Sequence, residues 1–256
     1  YIADMYHGII EHVIFMVPWL AKQIEERDLH KGNDLGRIWR IVAEDEPIDR
    51  KAPNLSSASS TTLLDILSHP NGWHRLTAQR LLIERADPVI ISSLGQVVHQ
   101  KGPLAQLHAL WTLDGLDALD QNSLSAALKS SDEKVRTAAT RLSESKAEML
   151  PSLVKRLNDP SEQVRLQLAL SLGTFNDSDA DNVLGDLLVK EEDPLFKGAA
   201  VSGLMGRELE FLKSWSARDK IDPTFISLLT QCVLEEAKPT RVAALFDLFE
   251  SIPSDC

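Results

Sequence analysis

The sequence predicts a mainly α-helical chain that stacks short helix pairs into a solenoid, and three observations carry that prediction. A helical motif recurs, clearest in Val135-Arg136-Thr137-Ala138-Ala139 and Val164-Arg165-Leu166-Gln167-Leu168, each after a short polar turn (Ser131-Asp132-Glu133 and Asp159-Pro160-Ser161). Weaker copies surround Arg75, Gln106, Lys197 and Arg241, so the anchors Arg75, Gln106, Arg136, Arg165, Lys197 and Arg241 lie 31, 30, 29, 32 and 44 residues apart. A near-constant period of this size marks an architecture in which each repeat buries its apolar face on its neighbours. Third, Pro70, Pro88, Pro103, Pro160, Pro194 and Pro239 fall at or near the start of apolar-periodic runs, where the missing N–H of proline breaks no helical bond.

Taken in order, Tyr1 to Tyr6 alternates in the manner of a strand. Val17 to Arg27 turns helical and stops before the turn cluster Lys31-Gly32-Asn33. Leu35 to Val42 alternates again, a strand with Arg37 and Arg40 near its rims, expected to pair with acids such as Glu44 or Asp45. Residues 43–60 shift to Pro, Asp and a Ser-rich run and read as a linker, with Thr61 as the cap of the helix that follows. Helix pairs are then predicted at 61–68 with 71–86, 88–99 with 103–115, 121–129 with 132–144, 147–157 with 160–173, 179–190 with 194–206, and 222–236 with 238–251. The 44-residue interval predicts an inserted helix or loop containing Phe211, Trp215 and Arg218.

Composition narrows the function classes. Acids outnumber bases 38 to 27 in 256 residues, for a formal net charge of −11, which argues against nucleic acid because phosphate binding needs a clustered cationic face. The longest apolar stretch, Gly8 to Leu20, is broken by Glu11, His12 and Pro18, so no membrane span is expected. The start at Tyr1, inside a strand-like run and without a Met, reads as part of a longer protein. Cys232 falls on a helical pattern as a small core residue, and neither it nor Cys256 shows metal or haem spacing.

The segments Asp4-Met5-Tyr6-His7-Gly8-Ile9-Ile10-Glu11-His12, Gln23-Ile24-Glu25-Glu26-Arg27 and Gly36-Arg37-Ile38-Trp39-Arg40-Ile41 resemble the closing segment of the β-propeller in bacterial sorbosone-dehydrogenase-like proteins, relatives of the PQQ-dependent sugar dehydrogenases. More loosely, residues 68–75 and 78–82 resemble the first HEAT helix pair of the larger members. The resemblance implies a propeller remnant over 1–45, a linker over 46–60 and a curved, HEAT-like α-solenoid of about six pairs over 61–256. It also implies a parent chain that carries PQQ and haem c outside this segment, is periplasmic or exported, and has a propeller domain, cytochrome c domain or redox partner as its protein contact.

Candidate chemistry is sparse. Asp4, Tyr6, His7, Glu11 and His12 form the densest titratable set; Asp4 and His12 are the catalytic candidates if a site exists, against a structural role in closing the propeller. His69, His74, His99 and His108 lack the spacing of helical metal ligands and read as capping or surface residues, so no metal site is expected. Arg75, Arg136, Arg165 and Arg241 occupy equivalent repeat positions and are expected to form a ladder, either a surface for an acidic partner or a set of ion pairs to neighbouring repeats near acids such as Asp132 and Asp159. Trp73, beside Gly72 and His74, reads as a surface anchor, and Trp111 as core. No phosphate loop, nucleophile elbow or CxxCH motif is present. The leading expectation is a non-catalytic structural or protein-interaction module of a larger oxidoreductase. The alternatives are a segment that completes a PQQ-dependent sugar dehydrogenase site and a free-standing HEAT-repeat adaptor.

Overall fold

The structure, a computed structural model, describes all residues except 7, 10–12, 33, 43–53, 145, 216–221 and 252–256. It divides into two compact units, residues 1–53 and 54–256.

The first unit is small and mixed. Strand β1, Ile2–Asp4, pairs antiparallel with β2, Arg37–Trp39, placing Ile2 opposite Trp39 and Asp4 opposite Arg37. Helix α1, Pro18–Glu26, begins on a proline, whose fixed φ suits a first helical turn, and ends at Arg27 before Asp28, whose φ is 54°. Among the described residues of this unit Ile24 is the one buried hydrophobic side chain, while Ile2, Ile14, Phe15, Trp19, Ile38 and Trp39 are exposed.

The second unit is a two-layer stack. One layer, here called A, holds α2 (Ser60–Ile66), α4 (Ile91–Gln100), α6 (Gln121–Ala127), α8 (Leu150–Val154), α10 (Ser178–Lys190), α12 (Glu208–Trp215) and α14 (Pro239–Ser251). The other layer, B, holds α3 (Gly72–Arg85), α5 (Pro103–Gly115), α7 (Glu133–Leu142), α9 (Glu162–Leu172), α11 (Pro194–Gly203) and α13 (Pro223–Glu235). Successive B helices pack side by side from α3 to α13, and in the A layer α4 packs on α6, α8 on α10, α10 on α12 and α12 on α14. One contiguous apolar core runs between the layers from Leu63 to Leu245. Four of the B helices start where the sequence supplies an acceptor: Asn71, Asp132, Asp193 and Asp222 each take a backbone N–H two residues on, which satisfies an otherwise orphaned donor.

Three sequence expectations change. The segment 54–60, read as linker, belongs to the stack: Leu55 and Ala58 pack on its core, and Arg85 donates to the carbonyls of Ala58 (2.6 Å) and Ser56 (2.9 Å). The cap of α2 is Ser59, which accepts from Thr62 N–H, not Thr61. The last repeat is also phased differently. The predicted insertion is α12, which packs on α10 and on α13, so the sixth pair is α12 with α13 and α14 follows as a single A-layer helix.

Two glycines set the closest approach in the B layer. A Cβ on Gly203 would fall 2.1 Å from the carbonyl oxygen of Leu170, and one on Gly173 would fall 2.5 Å from the carbonyl carbon of Gly203. Backbone meets backbone there, so α9 and α11 can sit this close because neither position carries a side chain.

Candidate functional site

The B helices α3 to α11 each carry a polar or charged side chain four residues after the cap, and these side chains form the ladder. Arg136, four after Asp132, donates through Nη1 to the carbonyls of Ser130 (2.9 Å) and Ser131 (3.0 Å) in its own turn. Its Nε and Nη2 grip both oxygens of Asp159 in the next repeat, at 2.9 and 2.8 Å. Arg165 repeats the pattern with the carbonyl of Asp159 (2.8 Å) and Glu191 (2.5 Å). Lys197 reaches Asp222, and Gln106 accepts from the Ser130 hydroxyl at 3.1 Å. At Arg136 and Arg165 one side chain therefore ties its own turn to the turn of the following repeat.

The ladder is internal. Arg136 is 7 % exposed and Asp159 is buried, so Arg136 is not available to an acidic partner, and Arg165 is engaged on both sides. Burial pushes the Asp159 carboxyl up, but the Arg136 fork, the Ser161 N–H and Arg156 together hold it below its ordinary value. The Asp222 carboxyl is lowered chiefly by its bond to Lys197. Arg241 is not a rung. It sits three residues after Lys238 on α14 among Glu208 (3.3 Å), Glu210 (3.3 Å) and Glu236 (2.9 Å). The position four after the Asp222 cap is Ile226, 29 residues beyond Lys197, which restores the period that the cation template had stretched to 44.

The first rung differs in chemistry. Arg75 donates to the carbonyls of His69 (2.6 Å) and Pro70 (2.8 Å), and its Nε donates to Nε2 of His108 at 3.1 Å. His108 was read as a capping or surface histidine; it is buried, between Arg75 and Gln79 of α3. His69 does cap, accepting Asn71 N–H at 3.0 Å, and its ring stacks on His74 at 4.2 Å.

Trp73 lies on the solvent side of α3, 51 % exposed, edge-on to His74 at 5.1 Å, with Leu76 exposed on the next turn. Leu104 and Leu195 hold the position equivalent to Trp73 on α5 and α11 and are also exposed, whereas Lys134 and Gln163 hold it on α7 and α9. A row of apolar side chains thus interrupts the solvated B-layer surface at the first two repeats and the fifth. Trp111 is partly buried against the core.

In the first unit Asp4 is a structural clasp. Its carboxylate accepts from Trp39 Nε1 at 3.1 Å and Tyr6 N–H at 3.0 Å and pairs with Arg37 at 3.3 Å; the Trp39 bond leads in lowering its pKa. Arg37 finds Asp4 as its acid and lies 4.5 Å from the centre of the Tyr6 ring. The partners expected for it, Glu44 and Asp45, and the candidates His7, Glu11 and His12 lie outside the described residues, as does Arg218.

Sequence reasoning missed two arginine clamps, Arg207 on the edge opposite the ladder and Arg156 beside the Asp159 rung, which it also meets at 3.4 Å. Arg207 donates to the carbonyls of Gly173 (2.8 Å) and Phe175 and pairs with Asp181 at 3.1 Å, and Arg156 donates to the carbonyl of Leu128 at 3.1 Å. Burial dominates at Asp181 and leaves its carboxyl above the ordinary value despite Arg207. No fixed offset from a cap marks these arginines, so the repeat template does not find them. Among the described residues no group of three or more His, Cys, Asp or Glu side chains could hold a metal, and no helix is long and apolar enough to cross a membrane.

Comparison with known families matches residues 121–205 and 150–247 to HEAT repeats, and residues 1–45 to a domain of unknown function (DUF7133). No curated protein matches the chain.

Proposed function

We propose that this chain is the structural and protein-interaction module of a larger exported oxidoreductase, with the HEAT-repeat stack packing against a propeller domain and positioning a cytochrome c domain or redox partner. HEAT repeats present extended surfaces suited to protein contact. The observation that carries the reading is the state of the first unit. A two-stranded sheet with Ile2, Ile38 and Trp39 exposed and Ile24 as its buried apolar side chain needs further protein surface to cover it. The dehydrogenase part of the reading rests on the resemblance of residues 1–42 to the closing segment of sorbosone-dehydrogenase-like propellers. PQQ and haem c belong, on this reading, to the parent chain and not to this segment.

The reading in which Asp4 completes a sugar or quinone pocket is weaker, because both Asp4 oxygens are already engaged by Trp39, Tyr6 and Arg37. The test is to detect the native polypeptide in the source organism with an antibody raised to residues 54–251. The expected result is an exported protein well above 28.4 kDa that carries haem absorbance and reduces an electron-acceptor dye when supplied with PQQ and an aldose. A cytoplasmic species of about that mass, without haem or dye reduction, would sink the proposal and leave a free-standing adaptor.

A further inference from the structure

We propose that the Arg75–His108 rung is an acid-released latch that holds the first helix pair to the second. The other charged rungs close on carboxylates, Asp159, Glu191 and Asp222, whereas this one closes on an imidazole. Arg75 is a donor only, so the Nε2 it meets at 3.1 Å must be the acceptor, which places the imidazole proton on Nδ1, 2.6 Å from Oε1 of Gln79. The neutral tautomer thus satisfies both ring nitrogens with two side chains of α3. A second proton turns Nε2 into a donor facing a guanidinium, which removes the bond and sets a buried imidazolium against a half-buried guanidinium.

The surroundings supply no counter-charge. Of the elements packed on α5, helix α3 brings Arg75 and the neutral Gln79, while among the described residues α4, α6 and α7 bring no charged group that acts on the imidazole. His69 meets the same guanidinium through its carbonyl oxygen, which does not titrate. Burial first and Arg75 second hold His108 below the ordinary histidine value. Because the folded state holds the proton less well than the unfolded chain, the latch is closed above pH ~6.5 and opens as pH falls through the lower folded-state value. Opening needs no global unfolding, since in a stack each repeat contacts its neighbours alone and α3 is bounded by α5 on one side.

The experiment is amide hydrogen exchange on the intact chain between pH 7.5 and 5, corrected for the intrinsic exchange rate. Exchange within α3 should rise by up to roughly tenfold per pH unit once His108 begins to bind its proton, with α9 unchanged over the same range. His108→Gln, which keeps an acceptor for Arg75 and does not titrate, should abolish the rise. Equal acceleration in α3 and α9, or an unchanged rise in the variant, overturns the latch. If the variant fails to fold, the imidazole resonance of His108 in the unsubstituted protein decides: a midpoint below ~6.5 supports the latch, and one at or above that value refutes it.

Discussion

The strand pair at the start of the chain and the helical stack that follows solve the same problem to different degrees. In the stack, apolar periodicity is matched by a neighbour on each side, and its core runs from Leu63 to Leu245. In the strand pair Ile2, Ile38 and Trp39 are exposed, while polar groups such as Asp4 and Arg37 hold the two strands together. The difference teaches that a pattern can specify an element without specifying its partner. A stack carries its partner in the next repeat; a strand pair must find one elsewhere.

The largest test of this contrast is within the stack. Phe225→Ala removes a fully buried ring that packs against Trp215 at 5.0 Å and Phe211 at 6.1 Å, and should destabilise the stack by about 3–5 kcal/mol in chemical denaturation. Arg136→Ala leaves the buried Asp159 carboxylate with only Arg156 at 3.4 Å and the Ser161 N–H, and should cost up to about 3–5 kcal/mol at neutral pH. The Asp159 carboxyl sits below its unfolded value, so the contribution of this rung is present above pH ~3.9 and is lost as pH falls through the folded value. The Arg136→Ala variant and the parent should therefore converge in stability at strongly acid pH.

Gly203→Ala drives a methyl into the Leu170 carbonyl and should cost about 1–3 kcal/mol, read as a lower denaturation midpoint with an unchanged m-value. Trp73→Ala, on the exposed row, should change stability by less than about 0.5 kcal/mol while weakening any partner that docks on the first two repeats, a separation that calorimetry and binding can each measure. The smallest expected effect is the sharpest. Deleting residues 1–53 should leave the thermal midpoint of the stack in place and reduce binding of a hydrophobic dye. A collapse of the stack on deletion would show that the two regions are not independent in stability.

Much of this organisation was legible because helices announce their ends. Prolines at 103, 194 and 239 begin helices, as their places before apolar-periodic runs predict, and Asp132 lies in the polar turn read ahead of its helix, so element boundaries followed from helix starts and not from apolar content alone. The phase of the last pair was misread because the template looked for a cation. Arg241 offered one in the wrong layer, while the true position holds Ile226, which an electrostatic signature cannot find. The Ser-rich run before α2 looked like linker because its role is backbone chemistry: the carbonyls of Ser56 and Ala58 hold Arg85, and Ser59 caps. His108 was missed because nothing local distinguishes a buried imidazole from an exposed one on a helix. The partner that decides it, Arg75, lies 33 residues away.

The rung geometry also makes the length of the array adjustable. Each rung spans from one A-to-B turn to the next, so a splice at the Asp132 and Asp193 caps would remove α7 to α10 and join α6 to α11 with the layers still alternating. The Gln106–Ser130 bond lies wholly before that splice and the Lys197–Asp222 pair wholly after it, and both survive; what is given up is the packing of α5 on α7 and of α9 on α11, the bond of Arg156 to the Leu128 carbonyl and the contacts of Arg207 with Gly173 and Asp181. A gene encoding such a stack can gain or lose whole repeats by recombination and still encode a folded protein, so the distance it holds between whatever sits at its two ends is free to drift in steps of one repeat.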